Sequence, residues 1–154
     1  MRVSTRFPIA VHILLVIAAF QNKHKVTSDI LAESTGVNAV IIRNIFCKLK
    51  GANLIQVSPG PGGTKLVAKP EQISLYDIYV AVEDDKFTNI FGMHQNMSDH
   101  CPVGKNVTEL LMGHFITAMS AMNKELSSVS LLDLLNELWA IEPELLPPWE
   151  YTKK

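Results

Sequence analysis

The sequence predicts a mostly α-helical fold with a small β wing, namely a winged helix-turn-helix followed by a long C-terminal dimerisation helix. Three observations predict it. Two short helical segments flank a tight turn at Gly36, and a Gly/Pro-rich loop separates two β-prone segments. Further along the chain, one apolar stripe recurs at helical spacing over about six turns.

Charge divides the chain into two halves. Residues 1–70 contain nine Lys and Arg against two acidic residues, a net charge of +7, whereas residues 71–154 contain five Lys against thirteen acidic residues, a net charge of −8. A basic half is typical of a protein that binds a polyanion, because each cation–phosphate contact releases condensed counterions. The acidic half would be repelled by the same polyanion, so we expect it to serve another purpose.

Size and composition favour one globular domain in a reducing compartment. The chain has 154 residues, of which 47% are hydrophobic, enough to bury a core. Cys47 and Cys101 form no disulfide framework, which favours a cytoplasmic protein. The apolar run Phe7–Phe20 after two arginines resembles a secretory signal, but it is too short to span a bilayer. We interpret this run as a buried first helix and expect no membrane partner.

Caps and hydrophobic periodicity predict three helices in the basic half, at Thr5–Phe20, Thr27–Gly36 and Ala39–Lys50. Thr27 or Ser28 can cap the second helix, and Gly36 ends it. Asn38 is a suitable N-cap for the third. This spacing fits a helix-turn-helix, although an ordinary helical hairpin would have the same pattern.

The following segment favours the helix-turn-helix. Leu54–Val57 and Thr64–Val67 are predicted strands, and the Ser58–Gly63 segment between them is predicted to be a loop that cannot be helical. A two-stranded ribbon after a helix-turn-helix is a wing. Its glycines let the backbone approach another surface closely, and Lys65 and Lys69 are available for phosphates.

The acidic half is predicted to contain three more helices. Ser74 and Asp77 begin a helix over Leu75–Glu83, and an irregular stretch over residues 84–104 leads to a long helix from Asn106 or Thr108 to Ser127. Ser130 begins a last helix that ends at Ala140. The stripe of the long helix is expected to pair with a second subunit, or alternatively to pack within its own; its residues are Val107, Leu111, Phe115, Met119, Met122 and Leu126.

With these elements the chain resembles the Rrf2 family of bacterial winged-helix transcriptional regulators, the family of the iron–sulfur cluster regulator and the cysteine-metabolism repressor. The resemblance runs from about Met1 to Ala140 and is carried by Leu31–Glu83 and by Cys101–Val107, which reads CPVGKNV. The family's wing commonly reads Arg-Gly-x-x-Gly-Gly-aromatic-x-Leu. Pro59–Leu66 keeps the glycines and the leucine but lacks the Arg and the aromatic residue, a departure that affects minor-groove reading.

The resemblance implies a homodimeric, sequence-specific DNA-binding regulator, a repressor on a pseudo-palindromic operator of double-stranded DNA, and not an enzyme. It implies a winged-helix DNA-binding domain over residues 1–83, a signal-input loop over 84–104, dimerisation helices over 105–140 and a tail over 141–154. The third helix would enter the major groove, with Arg43 reading guanine. The residues expected to meet bases or backbone are Asn38, Ala39, Ile42, Arg43, Lys48, Lys50, Lys23, Lys25, Gly60, Gly62, Gly63 and Lys65.

Cluster-binding members of the family use three cysteines before the long helix, whereas this chain has Cys101 alone there. One thiolate cannot hold a [2Fe–2S] cluster, so we predict a cluster-free member with no cofactor and no metal. His94, Asp99 and His100 are the residues that would have to complete a ligand set. Cys101 is either structural or a candidate redox sensor, and Cys47 is expected to be a small buried hydrophobic residue.

Two alternatives remain open from the sequence. The first is a thiol-dependent enzyme with Cys101 as the nucleophile and His94 or His100 as the base, although no oxyanion site is evident. The second is a regulator controlled by a protein or small-molecule effector that binds residues 84–104. The sequence identifies no effector, operator or regulated gene.

Overall fold

The chain forms six helices and a two-stranded wing in the residues that a computed structural model describes, which are 4–84, 90–92, 98 and 100–145. In chain order the elements are α1 Arg6–Phe20, α2 Ser28–Thr35, α3 Ala39–Gly51, β1 Ile55–Ser58, β2 Gly63–Leu66, α4 Leu75–Val82, α5 Pro102–Ser128 and α6 Leu131–Ile141. The fold class is therefore confirmed: a winged helix-turn-helix with a long C-terminal helix.

Local caps define the helix-turn-helix. The Thr27 hydroxyl accepts a hydrogen bond from the Ile30 amide, and the Asn38 side chain accepts one from the Val40 amide at 2.8 Å. Gly36 ends α2 in the left-handed conformation at φ 67°, which glycine adopts without strain. The axes of α2 and α3 are bent by 115° at this turn, within the range typical of helix-turn-helix motifs.

The apolar first helix lies at the centre of the core, as the sequence predicted. Six residues of α1 are buried, among them Ile13, Leu14 and Ile17, and the helix packs against α2, α4, α6 and β2. Its neighbours therefore cover most of its circumference, which explains why α1 has almost no polar face.

No single helix within the described ranges is both long and apolar enough to cross a membrane. The pair α2 and α3 meets the length and hydropathy criteria only when the two helices are taken together, across their 115° bend.

The wing is an antiparallel pair whose register runs from Ile55 opposite Leu66 to Ser58 opposite Gly63. Ile55 and Leu66 are buried and attach the ribbon to the core. The connection, which we expected could not be helical, contains one 3₁₀ turn over Gly60–Gly62. That expectation was wrong because a single 3₁₀ turn requires few backbone hydrogen bonds and so tolerates proline and glycine.

The last helix returns to the winged-helix core. Ser74 and Ser130 begin α4 and α6 with matching capping boxes, and the two serines form an isolated antiparallel bridge. The Leu75 amide donates to the Val129 carbonyl, and the Leu131 amide donates to the Ile73 carbonyl. With Leu131 and Leu135 buried, α6 packs with the winged helix, although we expected it to join α5 as a dimerisation helix.

The long helix begins earlier than predicted. Helix α5 starts at Pro102 rather than at Asn106 or Thr108, and Cys101 is its N-cap, with Sγ accepting from the Gly104 amide at 3.4 Å. Proline is favoured at a first helical position because its missing N–H would have no partner there. This proline was the overlooked start signal, and residues 102–104 consequently belong to the helix and not to the loop.

Candidate nucleic-acid interface

Helix α3 has a buried inner face and an exposed outer face. Ile42, Ile45, Phe46 and Leu49 point into the core. Ile42 has no exposed surface, so the prediction that it meets a base was wrong. The prediction that Cys47 is buried was also wrong, because Cys47 lies on the exposed face.

The exposed face includes Val40, Arg43, Asn44, Cys47 and Lys50, and Ile41 is exposed at its edge on the side of Lys48. The sequence analysis did not single out Val40 and Cys47 as outward-facing. Val40 and Cys47 could have been identified from the helical period. Residues on opposite faces of a helix are about two positions apart, and Cys47 is two positions from both Ile45 and Leu49.

An open cleft of about 480 Å³ separates α3 from the wing. Lys25, Arg43 and Lys50 contribute its cationic wall, and Cys47, Ser58 and Gly60 lie along the remainder. Lys23 and Lys65, also predicted to contact phosphates, are exposed. Cations from α3 and from the segment before α2 therefore line one cleft beside the wing, an arrangement that suits a polyanion.

The base of the wing is fixed to the segment before α2. The Thr64 amide donates to the Val26 carbonyl at 2.9 Å, and the Leu66 amide donates to the Gln21 side-chain oxygen at 2.8 Å. Gly63 is buried at this junction, so the prediction that it contacts DNA was wrong. Of the three wing glycines, Gly60 is exposed at the tip and Gly62 is half-buried beside Ser58.

Gly63→Ala is expected to lower the free energy of unfolding by about 1–3 kcal/mol. Gly63 has φ 66° and ψ −159°, a conformation essentially restricted to glycine, and an added Cβ would lie 3.0 Å from Lys25 Cγ and 3.1 Å from the Val26 oxygen. Urea unfolding of the variant measures the loss. Gly51→Ala is the matched control, since nothing lies within 4 Å of its added Cβ. Equal stability of the two variants would contradict the packing described for Gly63.

Asp84 pairs with two cations, Arg6 and Lys48, of which Lys48 was expected to contact phosphates. Its carboxylate accepts from Arg6 Nη1 at 2.6 Å and also from Lys48 Nζ. Lys48 first, and Arg6 second, hold the pKa of the Asp84 carboxyl below its usual value. Lys48 lies on the α4 side of α3, in a groove with Tyr76 and Val80 and away from the wing cleft. We therefore remove Lys48 from the set of phosphate contacts.

Lys48→Ala is expected to leave the salt dependence of DNA binding unchanged, whereas Lys50→Ala should lower its log–log slope by about 0.9. Lys50 lines the cleft and Lys48 does not. Titrations of one duplex at several salt concentrations measure both slopes. A reduced slope for Lys48→Ala, with no reduction for Lys50→Ala, would show that the phosphate path follows the α4 side.

Arg43 lies on the cleft side of α3, where its guanidinium group can contact a ligand. Its Nη2 lies 3.6 Å from Asp29 Oδ1, and both side chains are mostly exposed, so this pair competes weakly with a ligand. Ala39 is half-buried at the start of α3, and Asn38 is exposed but uses its side-chain oxygen as a helix cap.

Residues 3–137 match a family model described as "Rrf2: Iron-dependent Transcriptional regulator". The chain belongs to the Rrf2 family. This Rrf2 protein is accordingly a DNA-binding transcriptional regulator and not an enzyme, which removes the alternative of Cys101 as a catalytic nucleophile.

Relatives and solved structures agree with this assignment. YwnA of Bacillus subtilis, named as an HTH-type transcriptional regulator, is 35% identical over 137 residues, which cover 89% of this chain and 99% of YwnA. The structure of T. potens IscR has a TM-score of 0.62 at 22% identity and covers 98% of this chain and 96% of its own. CymR (YrzC), the global cysteine regulator of B. subtilis, has a TM-score of 0.66 at 20% identity, and the match covers 88% of this chain and 97% of CymR. The similarity to IscR and CymR shows a shared fold.

The family description names iron, but the described residues of this Rrf2 protein do not fit an iron site. Within those residues no three His, Cys, Asp or Glu side chains lie close enough to hold a metal ion. Cys101 is exposed and caps α5, and His100 is exposed beside it. His94 and Asp99 lie outside the described residues.

Proposed function

We propose that this Rrf2 protein acts in the cytoplasm as a homodimeric repressor of a pseudo-palindromic operator. The observation that supports the dimer is α5, a helix of 27 residues with no buried side chain. Such a helix is about 40 Å long and would be poorly stabilised without a partner. A second copy of the chain is the partner that we propose.

The large exposed apolar side chains of α5 lie between residues 103 and 116. They include Val103 at 69%, Leu110 at 65% and Ile116 at 56% exposure, together with Leu111 and Met112. Beyond residue 116 the exposed positions of α5 are small, polar or charged, Thr117, Ser120 and Lys124 among them. We therefore propose that residues 103–116 form the centre of the dimer interface.

This proposal moves the interface relative to the stripe expected from the sequence. Five of those six residues, Val107, Phe115, Met119, Met122 and Leu126, are half-buried in the single chain, and Leu111 is exposed. Phe115 stacks on Phe91 of its own chain, with ring centroids 4.5 Å apart, and α5 packs against α4. Part of the stripe therefore serves the subunit itself, which was the alternative left open.

Two copies joined through α5 would present two α3 helices to one duplex. A symmetric dimer requires related half-sites, and their separation is set by the distance between the two recognition helices. Binding both half-sites raises the affinity above that of one domain by making the second contact intramolecular. An operator that overlaps a promoter would then exclude the polymerase, which is the basis for proposing repression.

Selection of bound duplexes from a random pool tests this function. We expect a two-fold symmetric motif with one fixed spacing between half-sites. The selected duplex, placed across a promoter, should lower transcription in a purified system when the protein is added. Enrichment of a lone half-site would contradict the dimer, and unchanged or increased transcription would contradict repression.

We also predict that protein purified without oxygen is colourless and contains no stoichiometric iron. The stretch between α4 and α5 contains a single thiol, that of Cys101, whereas an iron–sulfur cluster normally takes four Cys or Cys/His ligands. Visible absorbance and iron analysis measure this. Cys101→Ser is the control and should have the same spectrum as the wild type. A brown wild type whose colour is lost in Cys101→Ser would establish a cluster with Cys101 as a ligand.

A further inference from the structure

We infer that each operator half-site contains an A·T pair that Asn44 and Val40 read together, beside the base pair read by Arg43. This inference rests on the proposed operator binding and deepens it, because it assigns residues and base chemistry that the sequence analysis did not. It follows from which side chains α3 presents to the outside and which of them have free polar groups.

The orientation of α3 determines which residues project furthest. The buried Ile42, Ile45, Phe46 and Leu49 define the inner side of the helix. Successive residues are rotated by about 100°, so the opposite direction passes through Val40, Asn44 and Cys47. Arg43 and Lys50 lie on the wing side, where they line the cleft, and Lys48 lies on the α4 side. Val40 and Asn44 therefore form the projecting edge of the first two turns.

The first two turns are also the part of a recognition helix that enters the major groove most deeply. Val40 and Asn44 are four residues apart, so their Cβ atoms lie about 6 Å apart on the same face of the helix. Adjacent base pairs are about 3.4 Å apart along the duplex. The two side chains can therefore contact one base pair or two neighbouring ones.

Two asparagines, Asn38 and Asn44, lie at or near the start of α3, and they differ in the hydrogen bonds of their side-chain amides. The Asn38 oxygen accepts from the Val40 amide at 2.8 Å, so Asn38 cannot offer a free donor and acceptor pair to a base. Asn44 is exposed, and among the described residues it makes no hydrogen bond to the protein. Its amide can both donate and accept, which matches N7 and the N6 amino group of adenine in the major groove.

Val40 supplies the complementary apolar contact. Its side chain is 58% exposed on the projecting edge, where a valine has no structural requirement. Thymine presents a C5-methyl group in the major groove and cytosine does not, so an exposed apolar side chain favours an A·T pair. Asn44 and Val40 thus select the same kind of base pair through different atoms.

The test begins with the random-pool selection and then alters single atoms of the selected duplex. Replacing the invariant adenine by 7-deazaadenine removes N7 and should weaken binding of the wild type but not of Asn44→Ala. Replacing the thymine by uracil removes the methyl group and should weaken binding of the wild type more than that of Val40→Ala, whose shorter side chain makes less contact with that group. Asn44→Ala itself should lose about 5- to 150-fold in affinity for the unmodified site.

Ile41→Ala is the matched control, because Ile41 is exposed on α3 but is rotated by about 100° from Val40, toward the side of Lys48. It should keep the A·T column and both base-analogue effects. If the wild type enriches no motif, the proposed function fails. If it enriches a motif in which neither base analogue weakens wild-type binding, the inference fails while the proposed function stands. The analogue experiments use the wild-type protein, so misfolding of a variant cannot produce that result.

Discussion

The affinity of this Rrf2 protein for duplex DNA is expected to fall by about 10³-fold between 50 and 200 mM salt. Six exposed cations in the basic half can reach phosphates, and they are Lys23, Lys25, Arg43, Lys50, Lys65 and Lys69. Six released counterions give a log–log slope of about −5 on B-form DNA. Arg6 and Lys48 are left out of this count, because Asp84 already binds both.

Equilibrium titrations at four or more salt concentrations measure the slope. Lys25→Ala should reduce it by about 0.9, because Lys25 lines the wing cleft. Lys124→Ala is the matched control, since Lys124 is also exposed but lies on α5 in the acidic half, and it should leave the slope unchanged. A slope near zero for the wild type would remove the electrostatic argument for the cleft.

Leu110→Glu combined with Ile116→Glu is expected to yield a monomer and to lower operator affinity by about 10²–10⁴-fold. Both side chains are more than half exposed on α5, so the substitution costs the single chain little. In a dimer interface the same carboxylates would lose their hydration without gaining a partner, which strongly disfavours association. Light scattering and operator titration measure the two effects.

Val80→Glu is the control for this variant. It also replaces an exposed apolar side chain by glutamate, but on the outer face of α4 beside α3, and it should remain dimeric. Circular dichroism of the double variant should retain the helical content of the wild type. A wild type that is monomeric at micromolar concentration, or a double variant that remains dimeric, would refute the proposed interface.

Sequence signals that depend on neighbours along the chain predicted the structure well. Asn38, Gly36 and the Ser74–Asp77 pair mark helix ends, and each does so through a bond or backbone angle within about four residues. The start of α5 is the exception. Its signal, Pro102 after Cys101, is equally local, but we interpreted the proline as part of the preceding loop.

The residues of the candidate site were predicted less well, because a residue can belong to the site only if its side chain points outward. The basic half and the position of α3 could be predicted from composition and pattern, whereas the roles of α3 as recognition helix and of Arg43 as a base reader stay predictions. Whether a given residue of α3 or of the wing faces outward could not, and Ile42, Cys47 and Gly63 were each assigned to the wrong side. A rotation of α3 by two residue positions, about 200°, would exchange its buried and exposed positions.

The sequence by itself determined the winged helix-turn-helix class and the cationic half. The fold class follows from hydrophobic periodicity and helix caps, which depend on residues close together in the sequence. The cationic half follows from a simple sum of charges. Only the tertiary structure decided that Asp84 binds Arg6 and Lys48, that Gly63 closes the wing against Val26, and that α6 packs on the winged helix. Each of these contacts joins residues more than thirty positions apart, and their pairing is set by how α1, α3 and α4 pack together, which no local pattern specifies.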